Sequence, residues 1–157
     1  MAAVLSPSAF GYSRRGMTYR ITKEYVWVGA IPDHPGALAE KLRALSAGGL
    51  NLELILGRPD QPGRALLFVA PLRSLEEVEI AERAGLATES AFRIIRVKGP
   101  NSAGLGARVA AALADAGLNL RDFSAAALGD QAVINIAFDI DADGDRAKAI
   151  LERVLAP

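Results

Sequence analysis

One pattern occurs twice in the chain, 68 positions apart, and no other feature restricts the fold as much. The first copy runs Pro32-Asp33-His34-Pro35-Gly36, an amphipathic stretch, then Gly49-Leu50-Asn51-Leu52. The second runs Pro100-Asn101-Ser102-Ala103-Gly104, a similar stretch, then Gly117-Leu118-Asn119-Leu120. Gly36 with Gly104, Leu45 with Leu113 and Gly49 with Gly117 align without a gap. Self-similarity at a fixed offset marks a duplicated structural unit, and two copies are too few for a solenoid. The expectation is a pair of packed units, residues 18–91 and 92–157, behind a disordered tail at 1–17.

The local pattern of each copy predicts its elements. Residues 25–31 are β-branched and aromatic and end at Pro32, which cannot continue a paired strand. Leu38, Leu42 and Leu45 recur at helical spacing, and Gly48-Gly49 stops the helix. Alternation of Leu50, Leu52, Leu54 and Leu56 predicts a strand, residues 58–63 a turn, and residues 65–70 the returning strand. Ser74 with Glu77 forms a capping box that opens a second helix. The second copy repeats the order: a strand at 92–97, a helix at 107–116, a hairpin from 118–128 and 133–140, and a last helix marked by Ala147, Ile150, Leu151 and Val154. Antiparallel sheets with helices on one face make an α+β fold, and this order predicts tandem ferredoxin-like βαββαβ domains.

A ferredoxin-like unit needs a fourth strand, and nothing follows the last helix of the second copy in this sequence. Two readings stand. Residues 18–22, which fall opposite 86–90 at the same offset, supply it, or the edge stays open for dimerisation. Both faces of the strand at 65–70 are apolar, Leu66 and Phe68 on one, Leu67 and Val69 on the other. The second face therefore needs a cover, from the other copy or from another chain, and the expectation is a homodimer.

Composition removes whole classes of function. Eighteen basic and eighteen acidic residues cancel, so no global field recruits nucleic acid or an anionic membrane. The absence of Cys excludes disulfides and thiolate chemistry, and a single histidine, His34, excludes multi-histidine metal sites and a Ser-His-Asp triad. No apolar run approaches the ~20 residues of a membrane helix. The Asp139-Ile140-Asp141-Ala142-Asp143 run imitates a calcium loop, yet the position that needs a bidentate Glu is Ile150. Residues 99–106 imitate a phosphate loop, but Leu105 and Gly106 stand where Lys and Ser or Thr belong. The tail is acid-poor and carries Ser and Arg like a transit peptide, but lacks a long amphipathic stretch and a cleavage-like site; a disordered extension, or a start at Met17, fits better. No enzyme activity, cofactor or metal is expected, and the location expected is cytoplasmic.

The two motifs resemble the ACT domain, a small ligand-binding regulatory module. The family pattern is an Asp/Asn-x-x-Gly turn, an amphipathic helix, then Gly-(apolar)-Asn-(apolar); the first copy carries Asp33-His34-Pro35-Gly36 and Gly49-Leu50-Asn51-Leu52. The second carries Asn101-Ser102-Ala103-Gly104 and Gly117-Leu118-Asn119-Leu120, but has Gly106 and Ala110 where the first has Leu38 and Leu42. The resemblance implies that a free amino acid or related small metabolite binds between the turn of one domain and the second strand of a neighbour. The residues implied are Asp33, His34, Pro35, Gly36, Ala37, Leu38 and Asn51 in the first copy. Those in the second are Asn101, Ser102, Ala103, Gly104, Leu105 and Asn119.

Local physics agrees with that implication. Each turn precedes a helix, whose unpaired N–H groups and positive dipole end suit an α-carboxylate. Asp33 suits an α-ammonium, and the neutral Asn101 offers both donor and acceptor. The same residues also have plain structural uses, since Asp and Asn cap helices and Gly permits tight turns. The function expected is allosteric regulation of a partner enzyme by a bound amino acid. The alternatives are a ligand-free ACT-like dimerisation or interaction module, and a regulatory subunit of an amino-acid biosynthetic enzyme.

Overall fold

Residues 20–32 contain no glycine before position 29 and no proline before position 32, so nothing interrupts an extended chain there. In the computed structural model, which describes residues 18–157, they form one strand, β1, Arg20–Pro32. The tail expected at 1–17 lies outside the described residues. Another long strand, β4, covers Ala87–Pro100, so the expected strands at 86–90 and 92–97 are one element, as are those at 18–22 and 25–31.

Between them run α1 (Ala37–Ala47), β2 (Leu54–Gln61), β3 (Arg64–Ala70) and α2 (Leu75–Arg83). After β4 come α3 (Leu105–Asp115), β5 (Asp122–Leu128), β6 (Gln131–Ala137) and α4 (Asp141–Val154). All six strands join one antiparallel sheet in the order β2-β3-β1-β4-β6-β5. The first half of β1 pairs with β4, Arg20 opposite Lys98, Thr22 opposite Arg96 and Val26 opposite Phe92. Its second half pairs with β3, from Trp27 opposite Val69 to Pro32 opposite Arg64. The register with β4 slips between Val26 and Val28.

Several boundaries differ from the sequence pattern. The strand expected from Leu50 starts at Leu54, and the one expected from Leu118 starts at Asp122. In both cases the preceding apolar residues, Leu50 and Leu52 or Leu118 and Leu120, pack on the core while the chain crosses from helix to sheet. Apolar alternation therefore extends past the hydrogen-bonded segment. The turn expected at 58–63 shrinks to Pro62-Gly63, with Gly63 at φ +76°, because β2 runs through Pro59 and is irregular beside it. β2 is an edge strand, where a missing N–H is tolerated. Of the α1 stripe only Leu45 is fully buried; Leu42 is partly buried and Leu38 is 40% exposed.

Two clusters line the helix-bearing face. Trp27, Ile31, Leu67 and Val69 pack with Leu45 of α1 and Ala81 of α2. Ile95, Val97, Ile134 and Ile136 pack with Val109 and Leu113 of α3 and Ala147 and Leu151 of α4, joined by Tyr19 and Ile21. Ile21, Trp27 and Ile31 share parity on β1, so all four helices cover one face of the continuous sheet. The opposite face holds a third cluster: Val26, Val28, Phe68, Ala70, Ile94 and Ala137, with Phe92 set edge-on to Phe68 at 6.1 Å.

That face is concave. A flat six-stranded sheet would hold β2 and β5 roughly 24 Å apart, yet Arg58 of β2 reaches Asp122 of β5 at 3.5 Å. The sheet curls until its two edge strands meet side chain to side chain. The second apolar face of β3 is thereby covered from within the same chain, which removes the argument for a partner drawn from it. Among the described residues no helix is long and apolar enough to cross a membrane.

Candidate functional site

The two repeated turns have the same local construction. Pro32 ends β1, residues 33–36 reverse the chain, and Gly36 at φ +96° sits immediately before α1. Pro100 ends β4, and Gly104 at φ +79° sits immediately before α3. A side chain would be strained at either left-handed position, which is the physical content of the repeated glycine. Neither helix start has a side-chain cap. The structure thus corrects the view of Asp33 and Asn101 as helix caps. First-turn amides of both helices, at Leu38 and Ala39 and at Gly106 and Ala107, lack intrahelical acceptors and stay available to an anion.

Around the first turn, Asp33, His34, Pro35 and Gly36 are exposed and Ala37 is buried. The Asp33 amide donates to Gly63 O at 3.0 Å, which fastens the turn to the β2-β3 hairpin. His34 Nδ1 lies 3.0 Å from Pro35 O. The Asp33 carboxylate has no side-chain partner among the described residues. Around the second turn, Asn101, Ser102, Ala103 and Gly104 are exposed and Leu105 is buried. The Asn101 amide donates to Asp130 O at 2.7 Å, and its Nδ2 reaches Gly129 O at 3.5 Å.

The motif asparagines stand elsewhere. Arg73 Nη1 donates to Asn51 O, and the Glu53 amide bonds Ala70 O, so Asn51 lies at the Ala70 end of β3. The turn lies at the Arg64 end, about 20 Å away at strand rise. Likewise the Arg121 amide bonds Ala137 O, placing Asn119 at the end of β6 away from Asn101. Within one copy the structure does not bring turn and asparagine together. Because β1 and β4 are antiparallel, the two turns also lie at opposite ends of the central strand pair.

Sequence reasoning missed a polar cavity of about 300 Å³ at the first half of β1, on the helix-free face. Its charged lining is Arg20, Glu24, Glu53, Arg73, Arg96 and Lys98. Arg96 is 4% exposed. Its Nε donates to Asn135 Oδ1 at 3.0 Å and its Nη1 to Glu53 Oε2 at 3.0 Å, while Glu24 Oε2 lies 2.8 Å from Nη1. The contact with Glu24 is an ion pair without hydrogen-bond geometry, and Arg96 Nη2 and Glu24 Oε2 are both buried with no hydrogen-bond partner among the described residues. Thr22 Oγ1 donates to Glu24 Oε1 at 2.9 Å, and Arg73 pairs with Glu53 across the mouth. The signal was present in the period-two spacing of Arg20, Thr22 and Glu24 and of Arg96 and Lys98, which share one strand face. Neither this cavity nor a 30 Å³ apolar crevice beside Phe68 and Phe92 is lined by the repeated-turn residues. Among the described residues no cluster of three His, Asp or Glu can hold a metal ion. Asp141 and Asp143 of the calcium-like run lie in the first turn of α4.

A six-stranded antiparallel sheet with four helices on one face, and open glycine turns at two helix starts, make this an α+β fold. No protein-family model matches the sequence, and no curated protein does. Solved structures do resemble it. Protein BT0572 from Bacteroides thetaiotaomicron matches with a TM-score of 0.70 and 15% identity, over 85% of this chain and 89% of that one. The ligand-free regulatory subunit of aspartate kinase from Thermus thermophilus matches with a TM-score of 0.58 and 18% identity, over 87% of this chain and 96% of that one. The regulatory subunit from Thermus flavus matches with a TM-score of 0.55, 19% identity and the same coverage. What they share with this chain is the fold.

Proposed function

We propose that the chain is a fused pair of ACT-like units that binds a free amino acid or related small metabolite and regulates a partner enzyme without catalysing a reaction itself. The observation that carries this reading is the repeated turn: a left-handed glycine and an uncapped helix start at the end of both long strands. Each turn offers backbone donors to an α-carboxylate, and the unpaired Asp33 offers its carboxylate to an α-ammonium. Resemblance in fold to regulatory subunits of aspartate kinase supports a regulatory role. In this reading residues 18–91 and 92–157 are the two units, and β1 and β4 each serve both.

Because Asn51 and Asn119 lie far from the turns of their own copies, a site of turn plus asparagine needs the second strand of a neighbouring unit. A homodimer in the cytoplasm is the assembly that supplies it. Ligand binding then shifts the balance between two arrangements of the dimer, which the partner enzyme reads.

A thermal-shift screen against the twenty amino acids tests the proposal. A ligand at a hundred times its Kd adds about 2.7 kcal/mol per site, which at this size is a rise of roughly 5–11 °C. Asp33→Ala should abolish or weaken the response. A flat response to all twenty at millimolar concentration would favour the ligand-free interaction module. The full exposure of both turns is the observation on that side.

A further inference from the structure

The polar cavity beside β1 is built around charges that do not balance. Four basic side chains, Arg20, Arg73, Arg96 and Lys98, face two acidic ones, Glu24 and Glu53. Arg20 and Lys98 stand directly opposite each other on neighbouring strands. Like charges at such a pair repel and destabilise a sheet unless something answers them. Neither has a side-chain partner among the described residues. Two positions along β4, Arg96 is almost wholly buried and its Nη2 has no acceptor. A buried guanidinium nitrogen without an acceptor is costly, as is the equally unpartnered Glu24 Oε2 beside it, and both residues line a cavity large enough for a small metabolite.

We infer that this cavity is a binding site for a small dianion, separate from the repeated turns. Arg20 and Lys98 supply the unpaired charge, and Arg96, held by Asn135, Glu53 and Glu24, adds positive charge to the wall. The fixed fork of the Arg20 guanidinium, which has no side-chain partner among the described residues, matches a carboxylate or a phosphate with two parallel hydrogen bonds. Glu24 and Glu53 hold Arg96 in place through the ion pair and the hydrogen bond to Nη1. The two carboxylates leave a net excess of two positive charges in the lining, which a dianion neutralises and a monoanion does not. Two oxyanion chemistries meet that description, a dicarboxylate with its charges at two ends and a phosphate with both on one centre. Thr22 and Pro71 complete the walls.

The test titrates the full chain with succinate and, separately, with inorganic phosphate, against sodium chloride at equal ionic strength. Calorimetry gives the saturable heat and thermal shift the midpoint. The expected result is saturable binding of at least one of the two, with a rise of about 5–10 °C at a hundredfold excess over Kd. Which of them binds identifies the oxyanion. Arg20→Gln and Lys98→Gln are both exposed positions and remove the like-charge pair, so each variant alone should melt no lower than the parent without ligand. Each should weaken binding roughly tenfold to a hundredfold, the loss of one charge-assisted hydrogen bond. Asp33→Ala should leave this binding intact, which separates the outcome from that of the amino-acid screen. Two results overturn the inference: no saturable heat with either anion beyond the chloride control, or binding that survives Arg20→Gln combined with Lys98→Gln.

Discussion

Replacing Phe68 by Ala tests whether the curled sheet closes on itself in solution. Phe68 is 5% exposed, on the helix-free face of β3, where no helix covers it. Its ring lies edge-on to Phe92 at 6.1 Å, and the Arg58 guanidinium sits 4.7 Å above its centroid. Burial comes from the concave face alone, through Val26, Ile94 and Ala137. Truncating a core Phe to Ala costs about 3–5 kcal/mol through lost transfer energy and the cavity left behind. Of that, roughly 0.5–1.5 kcal/mol belongs to the aromatic pair and should appear as coupling in a double-mutant cycle with Phe92→Ala. Equilibrium urea unfolding measures the loss, read by fluorescence of the only tryptophan, Trp27, which is buried on the other face of β1. At this chain length a 4 kcal/mol loss lowers the melting point by roughly 8–16 °C. If Phe68→Ala costs under about 1 kcal/mol with an unchanged urea slope, Phe68 is solvated and the concave core does not exist.

Three more outcomes follow from the same geometry. Starting the chain at Lys23 rather than Thr18 removes Tyr19 and Ile21 from the core and the bond from Tyr19 Oη to Pro100 O, so the melting point should drop. Residues 96–98, which pair with residues 20–22, should then exchange their amide hydrogens faster; equal protection of these three in both chains would refute the pairing of the start of β1 with β4. Asp33 makes no cap, so Asp33→Ala should change stability by less than about 0.5 kcal/mol while reducing amino-acid affinity; a loss of a full cap's worth of stability would contradict the open turn. The Asp145 carboxyl is held below its usual range by the hydrogen bond from Lys23 at 2.6 Å, with burial opposing. A depressed folded pKa contributes stability above the unfolded value, near 3.9 for Asp, and loses it as pH falls through the folded one. Asp145→Asn should therefore destabilise slightly at pH 7, less in high salt, with the deficit closing under strong acid; an equal deficit at both pH values would show that charge is not the cause.

The repeat made the order of elements legible, because each copy carries its own strand, turn and helix signals. Gly36 and Gly104 were readable as special backbone positions, and both have positive φ. What local pattern could not show is continuity. Residues 18–22 and 25–31 look like two strands because Lys23 and Glu24 interrupt the apolar run, yet charged side chains do not interrupt an extended backbone. The start of β2 is hidden for a related reason, since Leu50 and Leu52 alternate as a strand does while packing on the core before it. The curl of the sheet leaves no local trace, because it depends on contacts between strands at opposite ends of the order, such as Arg58 with Asp122. The polar cavity has no local signature as a whole, because its residues come from β1, from β4 and from the segments flanking β2 and β3, and only the folded sheet collects them.

The sharing of β1 and β4 bears on how the chain can come apart. The first half of β1 belongs with the α3 and α4 side and the second half with the α1 and α2 side, so a cut near Gly85 severs no hydrogen-bonded strand. It does leave the upstream fragment holding a length of β1 whose β4 partner has gone, and the downstream fragment with the matching edge of β4 bare. Neither piece can satisfy its own backbone, while the two together lack nothing but one peptide bond. The molecule should melt as one body, and its two fragments, inert and aggregation-prone apart, should fold when mixed.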